Sequence, residues 1–384
     1  MSFANFIALI EETDFSSCKV AGICLRDRLI KGCIAEGLKN IYILGSSSRT
    51  FDVTANEMTA TVTVVTRISD IPEAEANVFY IRDNIIIRDT SVKNILASRA
   101  AGQYLSADGQ PLFMITSLAS LLADGGGEKH ITLGREEYAL CQSRSDVPIA
   151  EKRLFTWLYK PTDGIVTQKI DRPISRIFSR YFARFDLPPA VYTYINGLQA
   201  VLMLAIFFSG HEYAAFLGCM MYQVIAVFDC IDGEIARAKY QKSAFGAKLD
   251  TGVDMMANIM FMVGLSYLLW MEYGTDYMIM GSYILGLVLS GISLMILLLY
   301  YGPKGGSFDV LALVIRQRTQ SSERLGKTFT SINYVMKRDF FALFFAILGM
   351  SGQAALIPYS LIVGLIVWNL AILYNAKSIL KFRY

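Results

Sequence analysis

The sequence predicts an amino-terminal α/β domain over residues 1–150, a juxtamembrane linker and amphipathic helix over 151–188, and an all-α six-helix transmembrane domain over 189–384. Three observations predict it. The chain of 384 residues is 54% hydrophobic and only 18% charged, with mean hydropathy +0.41, too apolar for one ordinary soluble domain. Charged and apolar residues are mixed up to about residue 150, whereas the long apolar runs all follow about residue 188. Between the two lies a segment in which basic and apolar residues alternate with helical period.

In the first part, strand and helix signals alternate. KVAGICLRDRLIKGCIAEGLKNIYIL reads as a turn, an amphipathic helix with Leu25, Leu29, Ile34 and Leu38 on one face, Gly37 near its end, and the buried strand IYIL. TATVTVVT and ANVFYI read as further strands, SVKNILAS and ITSLASLLADGGG as helices. This alternation predicts a largely parallel sheet. MSFANFIALIEETDFSS has neither a basic start nor a long apolar core, so no signal peptide is expected and the domain is expected in the cytosol. The six cysteines form no CxxC pair and are expected as free thiols, and the two histidines lack a partner at zinc-ligand spacing. With a net charge of only +3, no nucleic-acid partner is expected.

From Pro173 onward, Ile174, Ile177, Phe178, Tyr181, Phe182 and Phe185 mark one helix face and Arg172, Arg176, Arg180 and Arg184 another. Such a helix suits an anionic membrane surface. Pro188 and Pro189 end it. A span needs about 20 apolar residues, and six candidates follow: 189–209, 212–234, 249–270, 276–300, 339–352 and 354–374. SGHEY, MEYGTDY and GMSGQAAL carry no Lys or Arg, whereas RAKYQKSAFGAK, the stretch from Gly302 to Arg338 and NAKSILKFRY carry many. The alternation predicts an integral membrane protein with both termini cytoplasmic.

Into this apolar setting the sequence places DCIDGEIARAKYQKSAFGAKLDTGVD, with four aspartates. Intramembrane carboxylates are costly and mark function by default. Asp229 and Asp232 are three apart, Asp250 and Asp254 four apart, so each pair shares a helix face. The short connector between them predicts antiparallel neighbours with all four carboxylates at one depth. Converging carboxylates repel unless cations neutralise them, and oxygen ligands select hard divalent ions such as Mg2+, Mn2+ or Ca2+, a pair of which suits phosphoryl chemistry. Gly233 and Gly246 permit close approach, Ala236 keeps the face shallow, Arg237 offers a fork of donors for phosphate, and Lys239, Lys242 and Lys248 are expected at a positive entrance. An ion or proton transporter is the alternative for such a cluster, but transport does not require these Gly, Ala and Arg positions.

Asp229, Asp232, Gly233, Ala236, Arg237, Gly246, Asp250 and Asp254 match a DxxDGxxAR motif followed after eight residues by GxxxDxxxD. In this the chain resembles the CDP-alcohol phosphotransferases. The resemblance implies six transmembrane helices, a homodimer, and displacement of CMP from a CDP-alcohol by an acceptor hydroxyl, the acceptor alcohol being a lipid in some members. It implies two divalent cations, Mg2+ or Mn2+, on Asp229, Asp232, Asp250 and Asp254, with Asp254 also the candidate base. It implies a CDP pocket lined by Gly233, Ala236, Arg237 and Gly246, and Arg338 or the basic residues of the Gly302 to Lys337 stretch as candidates for the acceptor phosphate. KPTDGIVTQKIDRPISR and KRDFFALFF are similar to the subgroup fused to a nucleotidyltransferase-like domain, the inositol-phosphate cytidylyltransferase and di-inositol-phosphate phosphate synthase proteins. Yet FANFIALIEETDFSSCKVAG has no Gly before Gly22 and carries Glu11, Glu12 and Asp14 where such domains grip a triphosphate, so this domain is expected to be a degenerate relative. Asp83 stands where such enzymes keep a metal-binding acid. LPPAVYT departs from the TPN-like run of the family, Ala190 lacking the Asn side chain.

Overall fold

The computed structural model describes residues 6–45, 49–72, 76–98, 101–123, 129–160, 163–301 and 338–381, with Leu311 and Val314. The chain forms two compact units, one of residues 1–160, 176–191 and 231–247 and one of 161–175, 192–230 and 248–384. The first is therefore more than an amino-terminal domain, because it takes in the segment that joins the two aspartate-bearing helices.

The first unit is built on an eight-stranded sheet. Its centre is β1 (Phe6–Glu11), flanked in parallel by β4 (Asn40–Leu44) and β7 (Asn77–Arg82). FIALI is an unbroken apolar run because both faces of a central parallel strand are covered. Beyond β4 lies β6 (Met58–Val65), also parallel, whose alternation buries Ala60, Val62 and Val64 on one face. The sheet is mixed rather than largely parallel. An antiparallel β5 (Arg49–Ala55) closes one edge, and β10 (Pro111–Ser117), β9 (Gly102–Leu105) and β11 (His130–Thr132) extend the other. ITSLASLLADGGG divides accordingly. Ile115 to Ser117 complete β10, where Ile115 is buried in register with Phe79, and the helix is only Leu118–Leu122, started by Ser117 Oγ accepting the Ser120 N–H.

β5 and β6 join through a two-residue turn in which both Asn56 (φ +50°) and Glu57 (φ +65°) are left-handed, the primed geometry that matches strand twist. A small hairpin, β2 (Lys19–Val20) with β3 (Ile23–Cys24), leads into α1 (Leu25–Ala35), and β8 (Ile85–Ile87) pairs with β12 (Tyr138–Leu140). Helices α2 (Asp89–Ser98), α3 (Leu118–Leu122) and α4 (Val147–Trp157) complete the layer. One core cluster runs from Phe6 through Ile30, Ile34, Val62, Phe79 and Phe113 and ends with Tyr240, about a hundred residues beyond the rest.

The basic and aromatic segment forms α5 (Arg172–Phe182), entered through a π-turn at Thr167–Asp171. Ser175, Ser179 and Ala183 are its buried stripe, while Ile174, Ile177, Phe178, Tyr181 and Phe185 remain exposed, Ile177 at 69%.

Among the described residues, five helices are long and apolar enough to cross a membrane: α6 (Pro189–Phe208), α7 (Ala214–Ala238), α8 (Ala244–Tyr273), most of α9 (Thr275–Tyr301), and the segment Ala354–Leu380. The expected fifth span, 339–352, is α10 (Arg338–Met350), 13 residues and about 20 Å long, short of the roughly 30 Å hydrocarbon core. A 3-10 turn at Ala354–Leu356 then leads into α11 (Ile357–Lys381). The basic stretch before Arg338 lies outside the described residues. In the second unit Phe207, Tyr222, Phe261 and Phe345 pack as an aromatic column, the Phe261 and Phe345 rings 5.4 Å apart and nearly parallel.

Candidate active site

Helix periodicity sets the two aspartate pairs on their faces, and the five-residue connector 239–243 returns the chain antiparallel. In the second unit, carboxylate oxygens of Asp229 on α7 and of Asp250 and Asp254 on α8 all lie within 4.8 Å of one another. All three residues are half-buried. Three oxygen donors at this spacing suit a hard divalent cation. Asp232 is on the same helix as Asp229, almost one turn on, is 7% exposed and is not among the three.

Arg338, the first residue of α10, reaches these carboxylates directly, with Nη2 3.1 Å from Asp229 Oδ2 and Nη1 against Asp254 Oδ1. Asn196 on α6 is 2% exposed and donates from Nδ2 to Asp229 Oδ1 at 3.5 Å. Asn196 belongs to none of the motifs that mark the site in the sequence. Its signal was present as an amide in the apolar run of a span, which must find a polar partner. It lies six residues after Ala190, where the expected Asn was missing. Close by in the sequence of the second unit, buried Arg172 pairs with Asp163 at 2.9 Å, Gln223 donates to Asp171 at 2.8 Å, and the Asp339 carboxylate accepts the Thr167 N–H at 2.9 Å.

Residues 187–373 match the sequence model of the CDP-alcohol phosphatidyltransferases. This part of the chain is a CDP-alcohol phosphatidyltransferase domain. It is a membrane domain, and its family uses divalent metals, for which the three aspartates supply a fitting donor set. The chain is also similar to two curated relatives, each named a bifunctional IPC transferase and DIPP synthase. One, from Aquifex aeolicus, is 30% identical over 124 residues, 32% of this chain and 27% of that protein. The other, from Rubrobacter xylanophilus, is 27% identical over 145 residues, 38% of this chain and 33% of that protein. The chain thus matches a third or less of either relative's length.

The remaining motif residues of the phosphatidyltransferase domain fall in the first unit. Arg237 folds back along α7, so that a Cβ on Gly233 would stand 3.1 Å from its Nη1, and its Nε donates to the Leu158 carbonyl at 3.1 Å. Gly233 is therefore the space in which the Arg237 guanidinium lies. Ala236 is half-buried on the same helix. Ser243 Oγ accepts the Gly246 N–H at 2.9 Å, capping the start of α8. Glu234, 1% exposed, accepts from Ser179 Oγ at 2.6 Å. Of the three lysines expected at the entrance, Lys242 and Lys248 are exposed, but Lys239 is 3% exposed and donates to the Phe185 carbonyl at 2.5 Å. Its ammonium caps the turn after α5 and is not exposed.

At the carboxyl end of the central strands, where open α/β sheets bind ligands, several side chains of the first unit bond to one another. Glu11 accepts from Tyr80 and from Arg82 Nε at 3.0 Å, and Glu12 pairs with Arg26 at 2.9 Å. Asp83, fully buried in the turn after β7, accepts the Thr13 N–H at 3.0 Å and the Thr13 hydroxyl at 2.7 Å. Burial pushes its carboxyl above the usual range, and the Thr13 and Ser16 bonds act against that shift.

Proposed function

We propose that this chain transfers a phospho-alcohol group from a CDP-alcohol to the hydroxyl of an acceptor alcohol with release of CMP, in the synthesis of a phospholipid or an inositol-type phosphodiester. The observation that carries the reading is the meeting of Asp229, Asp250 and Asp254 within 4.8 Å inside a segment that matches the family. The relatives' names support the inositol-type branch.

In this reading Asp229, Asp232, Asp250 and Asp254 hold two divalent cations, Mg2+ or Mn2+, which when bound neutralise the diphosphate and the charge left on CMP. The acceptor oxygen attacks the β-phosphorus, the bond from that phosphorus to the bridging oxygen of CMP breaks, and an Asp254 oxygen takes the hydroxyl proton. Gly233, Ala236, Arg237 and Gly246 line the CDP side. Arg338, beside Asp254, neutralises a phosphate on the acceptor. Six spans with cytoplasmic termini, α5 lying on the membrane surface, and a homodimer complete the proposal. The α/β domain lacks cytidylyltransferase activity, because no Gly precedes Gly22 and Glu11, Glu12 and Asp14 stand where such domains grip a triphosphate.

The test is CMP release from radiolabelled CDP-alcohols by purified protein with Mg2+ or Mn2+ and a lipid extract. We expect release with at least one pair of alcohols and a loss of a hundredfold or more in Asp254→Asn, on the order of what one catalytic base contributes. Release by Asp254→Asn at the wild-type rate would sink the reading.

A further inference from the structure

The connector between α7 and α8 has a backbone and a side chain that disagree. Helix α7 ends in a Schellman motif, with Gln241 N–H bonded to Ala236 O at 2.8 Å and Tyr240 N–H to Arg237 O at 3.3 Å. The left-handed residue of that motif is usually glycine, and here it is Tyr240, with φ +53°. A bulky residue tolerates such a backbone only where its surroundings hold it.

The surroundings are the α/β core. Tyr240 is 8% exposed, belongs to the cluster that includes Ile30, Cys33 and Phe79, and donates its hydroxyl to Asp89 Oδ1 at 3.2 Å. Burial pushes that hydroxyl's pKa far upward, so it remains a donor. Backbone bonds grip the connector on both sides of the plug. Buried Arg28 donates from Nη1 to the Ala238 carbonyl at 2.6 Å. The left-handed β5–β6 turn supplies three more: Asn56 N–H to Tyr240 O at 2.9 Å, Lys242 N–H to Asn56 Oδ1 at 3.0 Å, and Ala244 N–H to Glu57 Oε1 at 2.9 Å. The last sets a carboxylate at the positive end of α8.

We propose that the α/β domain acts as a clamp on the α7–α8 connector, and that Tyr240, Asn56 and Glu57 are positioning residues that set the mutual register of the aspartates on the two helices. The inference rests on the metal-site reading above. The α/β domain thereby has a task in the phosphotransfer site without a nucleotide of its own. Because α7 and α8 continue unbroken from the connector, a shift or loosening at residues 238–244 changes the spacing of Asp229 against Asp250 and Asp254.

The test is Mn2+ binding by the purified full-length protein, read from the electron paramagnetic resonance signal of the free ion. Tyr240→Gly keeps the helix end favourable and removes the plug, and Asn56→Gly keeps the turn and removes the amide. We expect Mn2+ affinity to fall tenfold or more in Tyr240→Gly and about threefold in Asn56→Gly, a loss of one to two hydrogen bonds' worth of restraint, with Tyr240→Phe within threefold of wild type. Val78→Ala, a change in a separate core cluster that does not include Tyr240, is expected to lower the melting temperature but keep Mn2+ affinity. Wild-type affinity in Tyr240→Gly, or an equal loss in Val78→Ala, overturns the clamp. Asp250→Asn separates the two readings. If it retains Mn2+, the metal site fails and the clamp with it; if it loses Mn2+ while Tyr240→Gly does not, the clamp alone fails.

Discussion

Asp229 is engaged from two sides, within reach of Asn196 from one and Arg338 from the other. A partner that orients a ligating carboxylate typically changes metal affinity by about tenfold or more when removed. We therefore expect Asn196→Ala to weaken Mn2+ binding by about tenfold, measured by the same resonance assay, and an unchanged affinity would make the amide a packing feature only. Gly22 gives a prediction about stability instead. Its φ is +79°, and a Cβ there would stand 2.3 Å from the Ala183 carbonyl oxygen. Gly22→Ala should cost about 2–4 kcal/mol from backbone strain and overpacking together, seen as a lower melting temperature in detergent. The aspartates were legible in the sequence because their spacing is local and helical. Asn196 was visible as an oddity in a span, but nothing local names its partner. Tyr240 was not legible at all, since its bond to Asp89 joins residues 151 apart and its connector bonds join residues 186 and 187 apart.

Among the elements, α5 shows how a sequence pattern and a structure can agree for a reason. Its apolar residues would be buried in a soluble helix, yet Ile177 and Tyr181 are 69% and 59% exposed while the small Ser175, Ser179 and Ala183 are covered. An apolar face of this kind suits the headgroup boundary of a bilayer. A nitroxide at Ile177→Cys, with Cys18 and Cys24 changed to Ser, should collide with oxygen in preference to a water-soluble nickel chelate in lipid, and the reverse preference would place the face in water. Elements set by tertiary pairing were harder to read. The residues Ile115 to Ser117 carry a helix-like apolar pattern, but the register between β10 and β7 makes them strand. Helix α10 was legible as apolar, and its 13 residues show that the six-span count depends on how this shorter helix is seated.

Across the whole molecule, the α/β domain holds Glu11, Glu12 and Asp83 near the carboxyl ends of its central strands against Arg82, Arg26 and Thr13. Incubation of the full chain with CTP, Mg2+ and inositol or sugar phosphates should release no pyrophosphate above the background of a Glu11→Ala and Asp83→Ala double variant. Release in the wild type alone would restore a nucleotidyl transfer step to the domain. The fold class of this half was legible from alternating strand and helix signals, whereas the mixed edges of the sheet were not, because β5 and β11 are short or polar and are defined by their partners.

The core cluster that Tyr240 closes has a temporal side. Every other buried member of that cluster lies at or before Tyr138, so a ribosome has made the socket about a hundred residues before it makes the plug. At roughly 5–20 residues per second, the α/β domain waits several seconds with one core position vacant. Its maturation then finishes only when the turn after the second apolar helix arrives, which makes completion of the soluble half a timed report on synthesis of the membrane half.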